Sequence, residues 1–317
     1  MVLSNTAKFS VIVPVYNAAK TVARCVDSLV RSGGDDLQII LIEDSSKDNS
    51  WEVCQRLAEK YDTVTALHNE HNSGVSHARN RGLDAATGQY LLFCDSDDYW
   101  EENYVATFRT LVEAGHDFAI CGYVNHDEVA NGRTDIIGFE KAETISLRPN
   151  LKDIQDKTLL QQLWNKVFRA DIVREKGVRF DESISIGEDL RFILDYIRLG
   201  DVQEVTLIDK PLYHYMRDQA GSLMYRVGYE SIEEPLKNMA ALYRLMGVEE
   251  TEIAKRIDDH RNKQIANYAY LIMHNMGMPM AERKRLILAL DAAQGKALYK
   301  QNRTLYFKEK LLKLLKR

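Results

Sequence analysis

The chain has 317 residues, and its 42 lysines and arginines against 47 aspartates and glutamates give a net charge of −5, which argues against nucleic-acid binding. Its length allows one large domain with an appendage, or two domains. No run of about 18 apolar residues is present to span a bilayer. Residues Met1 to Lys8 lack the layout of a secretory signal, and the four cysteines show no Cys-x-x-Cys spacing. These features predict a cytoplasmic protein in a reducing compartment.

Short β-branched runs alternate with amphipathic segments in the N-terminal half. This is the pattern of a mostly parallel sheet flanked by helices, so the sequence predicts the α/β fold class. The predicted strands are Phe9 to Val15, Leu37 to Ile42, Val64 to His68, Tyr90 to Cys94 and Asp117 to Tyr123. The predicted helices are Ala19 to Ser32, Ser50 to Tyr61, Val75 to Ala86 and Glu102 to Ala114, with caps at Asn17, Asn49 and Ser73.

The pattern weakens from about Asn125 to Lys157, where Asn131-Gly132 is a hairpin-turn signal, and it fits either two edge strands or a mobile insertion. Further along, the predicted elements are a strand in Leu163 to Phe168, a helix from Leu190 to Leu199, a strand from Val202 to Ile208, and helices near Glu230 to Met246, Glu250 to Met276 and Met280 to Ala292. We therefore divide the chain into an α/β domain, residues 1–226, and a helical C-terminal region, residues 227–317.

Polar clusters follow three of the predicted strands, where ligands of such sheets bind. They are Tyr16-Asn17, Glu43-Asp44 and Asp95-Ser96-Asp97-Asp98. Crowded carboxylates usually persist because a cation lies among them, and Mn²⁺ or Mg²⁺ commonly binds one or two carboxylates plus substrate phosphates. We therefore predict that Asp97 and Asp95 hold Mn²⁺ or Mg²⁺ for a nucleotide diphosphate. The alternative is an Asp-rich turn in which Ser96 or Asp98 caps a helix beginning near Trp100.

Five motifs occur in order along residues 9 to about 220. They are Phe9-Ser-Val-Ile-Val-Pro-Val-Tyr-Asn17, Ile42-Glu-Asp-Ser-Ser-Lys-Asp48, Asn72-Ser-Gly-Val-Ser-His-Ala-Arg-Asn-Arg-Gly82, the Asp-x-Asp of Asp95 and Asp97, and the Glu-Asp of Glu188 and Asp189. Together they resemble family-2 glycosyltransferases with the GT-A fold. The likeness leaves the tail from Val227 uncovered. Ser45 also departs from it, because the family's Val-Asp-Asp-Gly-Ser-Thr-Asp signature has Gly at that position.

Donor-site roles follow from the residues and from the resemblance. The ring of Tyr16 can stack on a base, and Asp44 can accept a hydrogen bond from an imide N–H such as that of uracil. The resemblance implies the same roles and also places Arg79 near the nucleotide. We assign nucleotide-sugar binding to Pro14, Tyr16, Asp44, Arg79 and Asp95. The alternatives are an Asx-turn for Asp44 and a helix-surface ion pair for Arg79.

Sugar transfer also needs a base for the acceptor hydroxyl, and a carboxylate at a helix start in a cleft is a suitable candidate. We assign this role to Asp189. Direct displacement would invert the anomeric carbon, as the resemblance also implies. Trp164, which with Lys166 resembles the family's Trp-x-Lys, and Glu188 are assigned to the acceptor. The alternatives are a core position for Trp164 and charges that complement the helix dipole for Glu188 and Asp189.

Three further features lie in the second half of the chain. A packed or hydrogen-bonded role is predicted for His214, and the polar loop Arg217 to Ser222 is a candidate lid. Lys308 to Arg317 has the pattern of a basic amphipathic helix. It would either lie on anionic lipid at the inner face of the plasma membrane, or pack against the chain or in a homodimer.

The sequence thus predicts an inverting, metal-dependent glycosyltransferase. It would move a sugar from a nucleotide-diphosphate sugar, most simply a UDP-sugar, to a glycan or lipid-linked acceptor in surface polysaccharide synthesis. One alternative is a sugar-nucleotide nucleotidyltransferase, although no Gly-rich loop follows the first strand to hold a triphosphate. The other is a non-catalytic glycan-binding module on the same fold.

Overall fold

The structure, a computed structural model, describes residues 9–127, 132–184, 186–217, 230–274, 279–290, 296–297 and 299–306. The chain forms two compact units, Met1–Tyr225 and Arg226–Arg317. The described part of the first unit is a mixed α/β unit, and that of the second is helical.

The first unit contains a ten-stranded sheet. Its strands are β1 Phe9–Val15, β2 Leu37–Glu43, β3 Val64–His68, β4 Tyr90–Phe93, β5 Tyr99–Trp100, β6 Ala119–Asp127, β7 Arg133–Ile137, β8 Glu143–Ser146, β9 Lys166–Arg169 and β10 Glu204–Arg217. The order is β3-β2-β1-β4-β9-β6-β10-β5, with β7 beside β6 and β8 beside β10. Strands β3, β2, β1 and β4 run parallel, so their carboxyl ends meet at one edge of the sheet.

Helices cover this sheet and form the second unit. In the first unit they are α1 Val22–Gly33, a 3-10 turn Gly34–Asp36, α2 Ser50–Lys60, α3 Val75–Ala85, α4 Tyr104–Glu113, α5 Leu147–Asp156, α6 Ala170–Glu175 and α7 Glu188–Leu199. In the second unit they are α8 Glu230–Leu245, α9 Glu250–His274 and α10 Met280–Leu290. The second unit has its own apolar core, formed by Leu236, Ile265, Ala269, Met273, Ile287 and Tyr306.

Close packing against the buried strand β1 fixes the position of α3. A Cβ added to Gly82 would lie 2.4 Å from Cγ2 of Ile12, nearer than real Cβ atoms come to a neighbour. Glycine at position 82 therefore lets the helix approach the strand closely. This contact matters for the site, because α3 also carries Arg79 and Asn80.

An aromatic cluster fixes the end of β4. Phe93 meets the rings of Phe168, Phe180 and Phe192 edge-on, each at 5.8 Å between centroids. Edge-to-face pairs of this kind add stabilisation beyond the area they bury. The strand that leads into Asp95 is thus packed against both β9 and α7.

The predicted strands and helices of the N-terminal half are confirmed, β1 and β3 with the predicted bounds. Two of the predicted caps are wrong. The N-cap of α1 is Thr21 rather than Asn17, and that of α3 is Gly74 rather than Ser73. Asn49 does occupy the N-cap of α2, but its side chain makes no capping hydrogen bond.

Other differences lie after residue 117. Strands β7 and β8 match the expected edge strands, whereas α5 was not predicted, and Asn131 lies outside the described residues. The last strand continues well past Ile208, because shifts of register on either side of Pro211 let β10 keep pairing with β6. The predicted helix ends at Met276 and Ala292 lie outside the described residues.

Candidate active site

The residues expected to bind the donor meet at the carboxyl edge of the parallel strands. Val15 pairs with Glu43 in the sheet, and the N–H of Asp44 donates to the carbonyl of Val15 at 2.9 Å. On the other side of β1, the N–H of Cys94 donates to Ile12 at 3.2 Å. The loops that carry Tyr16, Asp44 and Asp95 are therefore neighbours, as the strand order predicts.

Hydrogen bonds hold the loop after β1 against the loop after β2. The N–H of Asn17 donates to Oγ of Ser46 at 2.9 Å, and the N–H of Lys47 donates back to Oδ1 of Asn17 at 2.9 Å. Asn17 and Ser45 have left-handed backbones, with φ of 52° and 55°. Tyr16 is 44% exposed beside them, so its ring is available to a ligand, and Pro14 is half-buried in β1.

Asp44 is buried and binds the loop that precedes α3. Its Oδ1 accepts from Nδ2 of Asn69 at 2.7 Å and from the N–H of Ser73 at 3.0 Å, and its Oδ2 accepts from the N–H of Gly74 at 2.8 Å. The N–H of Ser46, which an Asx-turn at Asp44 would use as its donor, donates to Glu43 instead, at 2.6 Å. Since a carboxylate offers about four acceptor positions, the three observed bonds leave capacity for a base.

The acidic loop after β4 holds one buried carboxylate and two accessible ones. Asp98 is fully buried, and it accepts hydrogen bonds from the Tyr213 hydroxyl at 2.5 Å and from the N–H of Met216 at 2.7 Å. Burial raises the pKa of Asp98, and the nearby charges of Asp97 and Asp95 raise it further. Asp98 is thus a structural residue, but it caps no helix, since α4 begins at Tyr104.

Asp95 and Asp97 fit a divalent cation shared with a substrate. The side chain of Asp95 is 32% exposed, Asp97 is exposed, and both offer hard oxygen ligands at the same edge. Within the described residues, no group of three or more His, Cys, Asp or Glu side chains could hold a metal ion alone. Two carboxylates completed by diphosphate oxygens match the way Mg²⁺ and Mn²⁺ usually bind at phosphate sites.

Arg79 joins the acidic loop to the start of α7. One of its terminal nitrogens donates to Oδ1 of Asp189 at 2.6 Å and to Oε1 of Glu188 at 3.2 Å, and the other donates to Oδ1 of Asp95 at 3.3 Å. The arginine side chain is only 5% exposed. The ion-pair alternative for Arg79 is therefore observed, with partly buried carboxylates of the site rather than on a helix surface.

The electrostatics of this cluster favour Asp189 as a proton acceptor. Burial raises the pKa of Asp189 well above its ordinary value, Arg79 opposes this rise, and Glu188 and Asp95 add to it. Burial decides the direction of this pKa shift, because the largest charge effect, that of Arg79, lowers the pKa of Asp189. A carboxylate with a raised pKa is a stronger base than one in water. The side chain of Asp189 keeps 22% exposure, so a substrate can reach it.

The Trp164 segment is part of the core. Trp164 is 4% exposed and stacks on Tyr213, with 4.0 Å between ring centroids. Lys166 is fully buried, and its Nζ donates to the carbonyls of Leu159 at 2.7 Å and Gln162 at 2.6 Å. This burial favours the core alternative for Trp164 over the acceptor role, and Lys166 does not line an open pocket.

Two site residues were missed by sequence reasoning. The Tyr213 hydroxyl contacts Asp98 and also accepts from the N–H of Asp95 at 3.2 Å. Asn80 binds the loop before α7 through both ends of its amide. Asn80 lies inside a recognised motif next to Arg79, whereas no local signal marks Tyr213, because its partners are more than 100 residues away.

The remaining predicted residues divide into described and undescribed ones. His214 is hydrogen-bonded as predicted, to Glu101 at 2.6 Å and to His126 at 2.9 Å. Arg217 pairs with Asp127 at 3.2 Å, while the rest of the candidate lid and Lys308 to Arg317 lie outside the described residues. Within the described parts of the chain, every helix is too short or too polar to cross a membrane.

Comparison with known proteins gives a family and a fold. The profile of Glycosyl transferase family 2 matches residues 10–175. The chain is 31% identical over 222 residues to the uncharacterised glycosyltransferase EpsJ of Bacillus subtilis, an alignment that covers 68% of this chain and 62% of EpsJ. The chain thus spans less than two thirds of that relative's length.

Two solved structures are similar in fold. TarS 1–349 of S. aureus in complex with UDP-GlcNAc matches with a TM-score of 0.65 and 20% identity, over 93% of this chain and 89% of that one. The mannosyltransferase PcManGT of Pyrobaculum calidifontis, in complex with GDP-Man and Mn²⁺, matches with a TM-score of 0.54 and 16% identity, over 95% and 80%. The family match and this likeness together show that the chain belongs to glycosyltransferase family 2 and has the GT-A fold.

Proposed function

We propose that this protein is an inverting glycosyltransferase that moves a sugar from a UDP-sugar to a hydroxyl of a glycan or lipid-linked acceptor. The observation that carries the proposal is the contact of one buried arginine with two functional carboxylates. Arg79 lies 3.3 Å from Asp95 on the donor side and 2.6 Å from Asp189, the candidate base. Both carboxylates therefore border the same small region at the carboxyl edge of the sheet.

The donor end of the site would hold a nucleoside diphosphate. The exposed ring of Tyr16 would stack on the base, and the remaining acceptor capacity of Asp44 would receive its imide N–H. The diphosphate would then extend toward Asp95 and Asp97. UDP-GlcNAc in TarS and GDP-Man with Mn²⁺ in PcManGT support a nucleotide-sugar donor and a metal for this fold. A divalent cation held by Asp97 and Asp95 would neutralise charge on the departing diphosphate.

The acceptor end of the site would supply the base. Asp189 would take the proton of the acceptor hydroxyl while that oxygen attacks the anomeric carbon from the face opposite the leaving diphosphate. The bond from sugar to diphosphate breaks as the new glycosidic bond forms, so the anomeric carbon is inverted. Arg79 would keep Asp189 oriented, and Glu188, 13% exposed, would face the acceptor beside it. The family resemblance supports the proposed acceptor class.

The test is UDP release by the full chain with Mn²⁺ and a panel of UDP-sugars, beginning with UDP-GlcNAc. We expect release that EDTA abolishes. A nucleotidyltransferase would instead release pyrophosphate from UTP and a sugar 1-phosphate, and a glycan-binding module would turn over neither. If no UDP-sugar yields UDP, the proposal is wrong.

The base is tested with Asp189→Asn. General-base catalysis is usually worth about 10² to 10⁴ in rate, so kcat should fall by that factor while the Kd for UDP stays nearly unchanged. The matched control is Asp195→Asn on the same helix, since Asp195 pairs with Arg191 and Arg198. Near wild-type turnover by Asp189→Asn would reject the assignment, and Glu188 would be the next candidate.

A further inference from the structure

The loop between α6 and α7 sets where the candidate base lies. This loop, residues 176–187, is described except for residue 185, and it leads directly into Glu188 and Asp189. The backbone at its middle is bound by one side chain of α3. The N–H of Phe180 donates to Oδ1 of Asn80 at 2.9 Å, and Nδ2 of Asn80 donates to the carbonyl of Phe180 at 2.9 Å. One amide thus binds both backbone groups of one loop residue.

The same amide makes a third contact. Nδ2 of Asn80 also donates to Oε1 of Glu182 at 2.9 Å, and the other oxygen of Glu182 lies 3.1 Å from Nδ1 of His77. Asn80 and His77 lie one turn apart on α3. The loop is therefore bound along one face of α3 at both Phe180 and Glu182.

The ring of Phe180 carries this constraint to α7. It stacks on Phe192 with 4.3 Å between centroids and 8° between planes, and Phe192 lies on α7 one turn after Asp189. Both rings are almost fully buried. The guanidinium of Arg79 lies over the Phe180 ring, 5.5 Å from its centroid. A shift of Phe180 would therefore move the surroundings of both Arg79 and α7.

Consecutive helix residues project about 100° apart, since an α-helix has 3.6 residues per turn. Arg79 thus reaches the carboxylates themselves, while its neighbour Asn80 reaches the loop that presents them. The close contact of Gly82 with Ile12 holds α3, which carries both residues, against β1.

We propose that Asn80 is a positioning residue for Asp189, acting through the backbone of Phe180 and the Phe180–Phe192 stack. The inference rests on the proposed function, because it assumes that Asp189 is the base. The side chain of Asn80 binds Phe180 and Glu182, and the proposed site gives it no contact with substrate or reacting atoms. A displacement of a catalytic group by about 1 Å can cost about 10²-fold in rate, so loss of the Asn80 amide should lower kcat measurably.

The experiment compares Asn80→Ala with Asn150→Ala in the full chain. Asn150 is a matched control, since its amide also donates to a backbone carbonyl, that of Ser146 at 2.8 Å, but on α5. With UDP-sugar and Mn²⁺, we expect Asn80→Ala to lower kcat by about 10- to 100-fold while the Kd for UDP changes by less than about twofold. Asn150→Ala should leave both unchanged.

A double-mutant cycle separates positioning from general damage. If Asn80 acts through Asp189, then adding Asn80→Ala to Asp189→Asn should lower kcat by less than about twofold further. Equal losses in the two backgrounds would overturn the inference, as would an unchanged kcat for Asn80→Ala. Should Asn80→Ala fail to fold, Phe180→Leu takes its place, because it keeps the backbone contact and removes the ring stack. A wild-type chain that releases no UDP from any donor would instead overturn the proposed function itself.

Discussion

The hydroxyl of Tyr213 lies 2.5 Å from Oδ2 of Asp98, and both side chains are fully buried. The same hydroxyl accepts a hydrogen bond from the N–H of Asp95 at 3.2 Å, and Oδ1 of Asp98 accepts one from the N–H of Met216 at 2.7 Å. These bonds tie the loop that carries Asp95 and Asp97 to β10. The accessible carboxylates therefore rest on a buried polar network.

Tyr213→Phe should lower the free energy of unfolding by about 1–3 kcal/mol, because the buried Asp98 carboxylate loses a hydrogen-bond donor. Urea denaturation measures the loss. Tyr90→Phe is the control, since its hydroxyl bonds the partly exposed Asp117 at 3.1 Å, where water can replace it. Equal losses of unfolding free energy in the two variants would show that the buried hydrogen bond to Asp98 stabilises the fold no more than the partly exposed one to Asp117.

Asp97→Asn should affect activity, whereas Asp98→Asn should affect stability. Asp97 is exposed, so its substitution should abolish Mn²⁺-dependent UDP release and leave the melting temperature within about 1–2 °C of wild type. Asp98 accepts two buried hydrogen bonds, so its substitution should lower the melting temperature. Titration of UDP release with Mn²⁺, alongside thermal unfolding, checks both. Normal turnover by Asp97→Asn would contradict its role as a metal ligand.

Tyr16→Ala should weaken UDP binding, because base stacking on an aromatic side chain is worth about 1–3 kcal/mol, or roughly 5- to 150-fold in Kd. Stability should hardly change, since the ring is 44% exposed. Calorimetric titration with UDP measures the affinity. Tyr16→Phe keeps the stacking surface and should bind almost normally. A Tyr16→Ala variant with wild-type affinity would place the base elsewhere.

Ser45 provides a stability test at the position where the second motif has serine in place of the family's glycine. Its φ is 55°, a left-handed conformation that costs a residue with a Cβ about 1–2 kcal/mol. Ser45→Gly should therefore leave the free energy of unfolding unchanged or raise it by up to about 1 kcal/mol, since glycine's larger unfolded-state entropy offsets part of the gain. Ser45→Val should lower it. A higher free energy of unfolding in urea for Ser45→Val than for Ser45→Gly would contradict this explanation.

The parallel half of the sheet could be predicted because its signals are local. Buried strands such as β1 and β2 are mostly apolar runs rich in Val and Ile, and the amphipathic segments between them have helical spacing. The second half was harder to predict. Strand β5 has two residues, α5 contains Pro149 near its start, and β10 continues past Pro211, so each lacks or disguises the usual pattern.

The candidate site divides in the same way. The sequence places Tyr16, Asp44 and Asp95 at one edge, because strand order alone brings strand ends together. It does not reveal that Arg79 reaches Asp189, 110 positions later, since only tertiary packing decides that contact. The Trp164 segment shows the reverse problem, because its motif was assigned to the acceptor, with a core position as the alternative, and the structure stacks Trp164 on the buried Tyr213.

Arg79 also constrains how this chain can change over evolution. It is the shared cation of Asp95, Glu188 and Asp189, so replacing it would leave three partly buried carboxylates to repel one another. Loss of one carboxylate would likewise shift the charge felt by the other two. These four positions, which three separate elements supply, should therefore vary together or stay fixed together across the family. Glu188 and Asp189 lie beyond residue 175, outside the segment that the family profile matches. Their pairing with Arg79, which lies inside that segment, should therefore limit which substitutions they can accept.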